Sequence, residues 1–151
     1  MILTLKEVIQ ENVNPENFNF IKDQLIELYN QLSKCNNVSL NILLEFINAD
    51  NTYVYINDRL RILGCITLLF ERKLIHNGGI VCHIEDLIVH KNHRNKAIGS
   101  DLLEFALEEA KHKGCYKVIL DCNSEIQSFY LKNGFVNHNN NIQMAHYFPE
   151  G

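Results

Sequence analysis

The hydrophobic residues switch between two periods along the chain, and each switch marks a change of element. Ile2–Leu5 reads as a short strand. From Pro15 to Ser33, the residues Phe18, Ile21, Leu25, Leu28 and Leu32 recur at helical spacing. Pro15 suits the first turn of that helix and Asn14 its cap. Ser39–Asn48 reads as a second, shorter helix carrying Leu40, Leu43, Leu44 and Ile47. Thr52–Ile56 is rich in strand formers, Asn57-Asp58 makes a turn, and Leu60–Leu74 is a long second strand, so the two form a hairpin. Asn77-Gly78-Gly79 is a further turn signal, followed by a strand over Ile80–His90. The helical period then returns. Ile98, Leu102, Leu103, Ala106 and Ala110 stripe a helix over Ile98–Lys113, Gly114 stops it, and Lys111, His112 and Lys113 suit its negative end. Tyr116–Leu120 is a buried-type strand. Ser124–Lys132 is a short helix ending at Asn133-Gly134. Phe135–Asn137 and Gln143–Phe148 are expected to be closing strands around an Asn-rich turn. The predicted order, β-α-α-β-β-β-α-β-α-β-β, is a mixed α/β layout.

Composition narrows the setting without changing that layout. The 151 residues suit one compact domain over 1–151. A net charge of −4 argues against a nucleic-acid binder, which would carry a basic stripe. No apolar run reaches membrane-spanning length, and the first residues lack the basic start and apolar stretch of a signal peptide. Five cysteines, without CxxC or metal-type spacing, read as reduced thiols in a cytoplasmic protein. His83, His90 and His93 lack the spacing of a metal site, so no metal is expected.

Candidate chemistry concentrates between Ile84 and Lys113. A strand, His83–His90, feeds a basic loop, Lys91–Ala97, which feeds a helix from Ile98-Gly99-Ser100. A helix start offers N–H groups to an anion. Arg94 and Lys96 add positive charge, and Gly99 allows close backbone approach. Such a turn suits a pyrophosphate, although many exposed strand–loop–helix turns share the pattern.

Arg94-Asn95-Lys96-Ala97-Ile98-Gly99 resembles the R/Q-x-x-G-x-G/A signature of the GNAT superfamily of N-acetyltransferases. A second match is Asn123, then Tyr130 seven residues on, just before Leu131-Lys132-Asn133-Gly134-Phe135. Within the superfamily, the chain is most similar to the glucosamine 6-phosphate N-acetyltransferases. The blocks that carry this are Glu71–His76, His83-Ile84-Glu85-Asp86, Gly114–Cys122 and Phe129–Phe135. The similarity covers about residues 68 to 135 and is weak over the first fifty residues and the last dozen.

The resemblance implies a GNAT acyl-CoA N-acyltransferase fold: a mixed, mostly antiparallel central sheet flanked by helices, with splayed middle strands. It implies acetyl-CoA as co-substrate and direct attack by the amine of an amino-sugar phosphate, without a covalent enzyme intermediate. Tyr130 would protonate the departing thiolate. Asp121, at the end of a strand where desolvation would raise its pKa, would accept or orient the amine proton, with Glu85 or a water-mediated route as alternatives. Leu87, Ile88 and Val89 would meet the pantetheine arm through their backbone. Arg94, Asn95, Lys96, Ala97, Ile98, Gly99 and Ser100 would cradle the pyrophosphate, with Asn123 also on the cofactor. The sugar phosphate maps to Lys73, His76, Tyr116 and Lys117, and Glu85 and Asp86 would meet sugar hydroxyls or the amine. Taken singly, each of these lysines reads equally as a solvated strand end.

Two departures stand out. Asn95 and Ala97 replace glycines usual in the pyrophosphate loop. Asn tolerates left-handed backbone; Ala97 is harmless only if its φ is negative. The arginine that relatives carry in the last strand is missing from Met144–Phe148, so His146, Tyr147 or other cations must replace it. The resemblance also implies a homodimer that exchanges C-terminal strands. A GNAT enzyme for a polyamine or protein N-terminus, and a non-catalytic acetyl-CoA-binding domain, are the competing readings.

Overall fold

A computed structural model describes residues 1–138 and 141–149. It contains two compact units, Met1–Ile119 and Leu120–Gly151. The first holds a five-stranded sheet in the order β1-β2-β3-β4-β5. Its strands are β1 (Ile2–Thr4), β2 (Thr52–Ile56), β3 (Ile62–Arg72), β4 (Ile80–Val89) and β5 (Cys115–Ile119). Every pairing is antiparallel except β4 with β5, which is parallel. The mixed, mostly antiparallel sheet of the α/β prediction is therefore present.

The helices of this unit begin where capping chemistry allows. Thr4 ends β1 and caps α1 (Leu5–Glu11), its hydroxyl accepting from Glu7 N–H at 3.0 Å. This helix replaces the loop expected after the first strand; its two buried residues, Leu5 and Val8, are too few for a readable stripe. Asn14 caps α2 (Pro15–Asn30), accepting from Asn17 N–H at 2.8 Å, with Pro15 in the first turn. Ile21, Leu25 and Leu28 are buried. Leu32 lies past the helix end and is 50% exposed, so the stripe stops one turn earlier than predicted. Ser39 caps α3 (Leu40–Asn48), which buries Leu43 and Ile47. These faces pack with Val54, Ile56, Ile62, Cys65 and Ile88 in one core. Within it, the Thr52 and Thr67 hydroxyls satisfy each other at 2.8 Å, as buried polar groups must.

A short turn, α4 (Ile75–Gly78), joins β3 to β4, with His76 and Asn77 left-handed. After β4 comes a single 3₁₀ turn, Lys91–His93, and then α5 (Ile98–His112), which buries Ile98, Leu102, Leu103, Ala106 and Ala110 as its stripe predicted. His90 leaves the strand and caps the 3₁₀ turn. β5 is half-buried and not fully buried, because among the described residues it lies at the edge of the sheet and pairs with β4 alone.

The second unit holds a 3₁₀ turn (Ser124–Ile126) and α6 (Gln127–Lys132). The predicted closing strands are not strands. Phe135–Asn137 and Gln143–Phe148 form no ladder among the described residues, and 141–149 are exposed throughout. Alternating hydrophobicity makes a strand only where another strand takes up its backbone hydrogen bonds. Part of the Asn-rich turn, Asn139 and Asn140, lies outside the described residues.

No helix among the described residues is long and apolar enough to cross a membrane. The five cysteines are free. Burial pushes the Cys65 thiol up to about 12 and Cys82 up to about 11, so neither is a nucleophile at neutral pH.

Candidate active site

β4 changes partners along its length. Ile80–His83 pair with β5, the last pair being His83 with Ile119. From Ile84 to Val89 the strand has no β5 partner and stays paired to β3 alone. The splay expected between the middle strands is this divergence. It frees the outward backbone groups of one strand half from sheet pairing.

The β3 side of the same stretch is irregular. Thr67 faces Glu85 and Cys65 faces Ile88, so two residues of β4, Asp86 and Leu87, stand opposite Ile66 alone. That count defines a bulge. Asp86 takes φ 49, a left-handed value that Asp tolerates better than most non-glycine residues. Glu85 and Asp86 are both exposed, Leu87 is half-buried and Ile88 is buried.

The loop between β4 and α5 is built from tight local bonds. Arg94 Nε donates to Val89 O at 3.2 Å, spanning the loop. Asn95 and Ala97 are left-handed, at φ 64 and 63. Ala97 occupies the cap position of α5, and no side chain caps the helix. The first intrahelical bond is Asp101 N–H to Ala97 O at 2.9 Å. The N–H groups of Ile98, Gly99 and Ser100 thus precede the helical ladder, at the positive end of the α5 dipole and with Arg94 and Lys96 exposed nearby in the loop. An anion fits this arrangement. The condition set on Ala97 fails, since its φ is positive: its methyl stands at a position that favours glycine.

The residues expected on a sugar phosphate gather at the β3–β4 turn. The His76 ring stacks on Tyr116 with centroids 4.1 Å apart. Lys117 Nζ lies 5.8 Å from the Tyr116 ring centre. Gly79 permits this packing, because a Cβ there would come within 2.5 Å of the Tyr116 ring. Lys73 pairs with Glu71 at 3.1 Å, and Glu71 also takes His83 Nε2 at 2.9 Å. These contacts hold the Glu71 carboxyl below its ordinary range, with the His83 bond the larger cause and Lys73 the second. The pairing of Glu71 with His83 was not visible in the sequence, where the two are twelve residues apart and lie on different strands. Arg72, which donates to Gly78 O, is another cation of this turn that sequence reasoning did not single out.

The second unit carries the other three expected residues. Tyr130, on α6, is 8% exposed, with edge contacts to Phe129 at 5.1 Å and Phe135 at 6.0 Å. Phe135 N–H returns to Tyr130 O at 3.1 Å. Burial, and secondarily Cys122, raises the Tyr130 pKa above its ordinary value, so the phenol keeps its proton at neutral pH. Asn123 stands at the cap position of the 3₁₀ turn without a side-chain cap bond. Asp121 lies two residues past β5 and is exposed. Among the described residues, no cluster of three or more His, Cys, Asp or Glu could hold a metal ion.

A splayed strand with a bulge, leading through a left-handed loop to an uncapped helix start, defines an α/β domain suited to an extended, anionic ligand. The model of the acetyltransferase (GNAT) family matches residues 16–135, and the chain belongs to that family. Glucosamine 6-phosphate N-acetyltransferase 1 of Dictyostelium discoideum is 33% identical over 130 residues, covering 86% of this chain and 75% of its own. The Arabidopsis thaliana glucosamine 6-phosphate N-acetyltransferase is 43% identical over 82 residues, 54% of each chain. A crystal structure of an Arabidopsis thaliana glucosamine-6-phosphate N-acetyltransferase matches with a TM-score of 0.80 and 30% identity, covering 99% of this chain and 98% of that one. The sequence matches to the first plant relatives span about half of their length, 52% and 54%.

Proposed function

We propose that the protein transfers the acetyl group of acetyl-CoA to the amine of D-glucosamine 6-phosphate, releasing N-acetyl-D-glucosamine 6-phosphate and CoA. The observation that carries this reading is the stretch from Glu85 to Ser100. One strand half free of β5, a bulge and an uncapped helix start follow one another over sixteen residues. The names of the relatives supply the substrate.

Glucosamine 6-phosphate presents a nucleophilic amine and a phosphate at opposite ends. The amine nitrogen attacks the thioester carbonyl, the C–N bond forms as the C–S bond breaks, and the sulfur leaves as a thiolate. The backbone groups of Leu87, Ile88 and Val89 that face away from β3 bind the pantetheine arm and the developing oxyanion. The pyrophosphate takes the N–H groups of Ile98, Gly99 and Ser100 with Arg94 and Lys96, and Asn95, Ala97 and Asn123 complete the cofactor contacts. Tyr130, protonated at neutral pH, gives its proton to the thiolate. Asp121 or Glu85, directly or through water, takes the amine proton. Lys73, His76, Tyr116 and Lys117 receive the sugar phosphate, whose charge competes with Glu71 for Lys73, and Asp86 orients the sugar. The chain acts as one domain in a cytoplasmic homodimer. The exposed Ile142, Met144, Tyr147 and Phe148 supply an apolar contact for the second copy.

Free thiol released from acetyl-CoA across a panel of amines tests the reading. Turnover confined to glucosamine 6-phosphate supports it. Turnover with spermidine or a peptide N-terminus instead moves the protein to another amine. CoA binding without thiol release for any amine overturns catalysis.

A further inference from the structure

The loop that opens α5 is bonded to the end of α2, and this link involves residues outside the proposed catalytic set. His90 uses both ring nitrogens. Nδ1 accepts the Asn92 N–H at 3.1 Å, capping the 3₁₀ turn, and Nε2 meets Glu27 Oε1 at 3.2 Å. These two bonds together select one tautomer. Nδ1 must be unprotonated to accept, so the proton sits on Nε2 and is donated to the carboxylate. One turn further along α2, Gln31 Oε1 accepts the Lys91 N–H at 3.0 Å. Two consecutive loop amides, at Lys91 and Asn92, are thus held by side chains. His90 itself is anchored to the sheet through its N–H to Leu63 O at 2.9 Å.

Gln31 adds a second observation. Among the described residues, no hydrogen-bond partner reaches its buried Nε2. Glu27 differs: its side chain is 61% exposed, and its bond to His90 competes with water. The two bonds to backbone amides are therefore the stronger part of the link.

We infer that His90 and Gln31 are positioning residues that clamp the Lys91–Asn92 backbone to α2 and so hold the following loop, Arg94–Ala97, in the form that receives CoA. Asn95 and Ala97 both require left-handed backbone without glycine, so this loop relaxes readily if its upstream anchor is removed. The inference rests on the reading that this loop binds CoA, and it deepens that reading by assigning the loop's shape to two side chains that do not touch the ligand.

The test measures CoA affinity by calorimetry, and the acetyl-CoA KM and kcat with glucosamine 6-phosphate. The variants are His90→Ala, His90→Asn, Gln31→Met and Glu27→Ala in the full chain. His90→Ala and Gln31→Met should each weaken CoA binding and raise the acetyl-CoA KM about three- to tenfold, with kcat and the amine KM nearly unchanged. His90→Asn should restore most of the affinity, since an Asn oxygen also reaches the amide two residues on, although it is too short to reach Glu27. Glu27→Ala should change affinity less than twofold. Wild-type affinity in both His90→Ala and Gln31→Met overturns the clamp, as does a kcat loss with CoA affinity intact. A wild type that binds CoA but leaves glucosamine 6-phosphate unacetylated removes the proposed function alone, and calorimetry still decides the clamp.

Discussion

Replacing Ala97 by glycine should stabilise the protein. Ala97 sits at φ 63 and caps α5 with no side-chain bond. The left-handed conformation costs an L-residue with a Cβ about 1–2 kcal/mol, and glycine escapes that cost. Alanine is also among the poorest residues at a helix N-cap, where glycine is tolerated. Against these gains, glycine loosens the unfolded chain by about 0.4–1 kcal/mol. The difference leaves Ala97→Gly more stable by about 0.5–1 kcal/mol, or about 1–4 °C in Tm for a domain of this size. Urea titration with a fixed m-value, together with a thermal scan, reads the change. Asn95→Gly is the internal comparison. Its φ is 64, but Asn tolerates that region, so its gain should be smaller or absent. A less stable Ala97→Gly would refute the reasoning, because only the unfolded-state term would then be operating and the backbone at 97 would have to be right-handed in solution.

Three further perturbations probe the same architecture. Gly64→Ala should destabilise by about 1–3 kcal/mol in urea titration, because a Cβ would sit 2.9 Å from Ile88 O and press on Leu102 and Ile98 of α5; a neutral effect would mean β3 and α5 are less tightly packed. Tyr130→Phe should lower kcat by about 10²-fold or more with little change in CoA affinity, read by steady-state kinetics and calorimetry, and unchanged turnover would remove Tyr130 from the mechanism. The lowered Glu71 pKa stabilises the fold above the ordinary glutamate value, and that contribution disappears as pH falls through the lower folded value. Glu71→Gln should therefore flatten part of the stability loss below about pH 4.3, and urea midpoints stepped from pH 6 to pH 3 identical to wild type would contradict the pairing with His83 and Lys73.

Long elements with a strong period were legible. The α2 and α5 stripes, with Asn14 and Pro15 at one helix start, correspond to buried faces. Short elements divided: β2 was read at its observed bounds and α3 within one residue, whereas α1 and α4 were missed. α1 buries two residues, and both ends of β3 and the C-terminal end of β4 moved by one or two residues because hydrogen-bond partners, and not propensity, end a strand. The C-terminal apolar alternation misled for the same reason: Ile142, Met144, Tyr147 and Phe148 have strand-like content and no ladder. The candidate site residues were chosen by residue type at fixed spacing, Arg94 to Gly99 and Asn123 to Tyr130, since local motifs are properties of the chain.

By itself, the sequence determined the acetyltransferase family and the strand–loop–helix that suits an anion, because periodicity, capping and motif spacing act over a few residues. Tertiary structure alone decided the rest. The register between β3 and β4 makes Asp86-Leu87 a bulge, and the β4–β5 pairing ends at His83, so Ile84–Val89 has no β5 partner. The bond of Glu71 to His83 and the hold of Gln31 on the Lys91 amide join atoms distant in sequence. Such contacts follow from how the whole sheet and its helices pack, which no short stretch of sequence encodes.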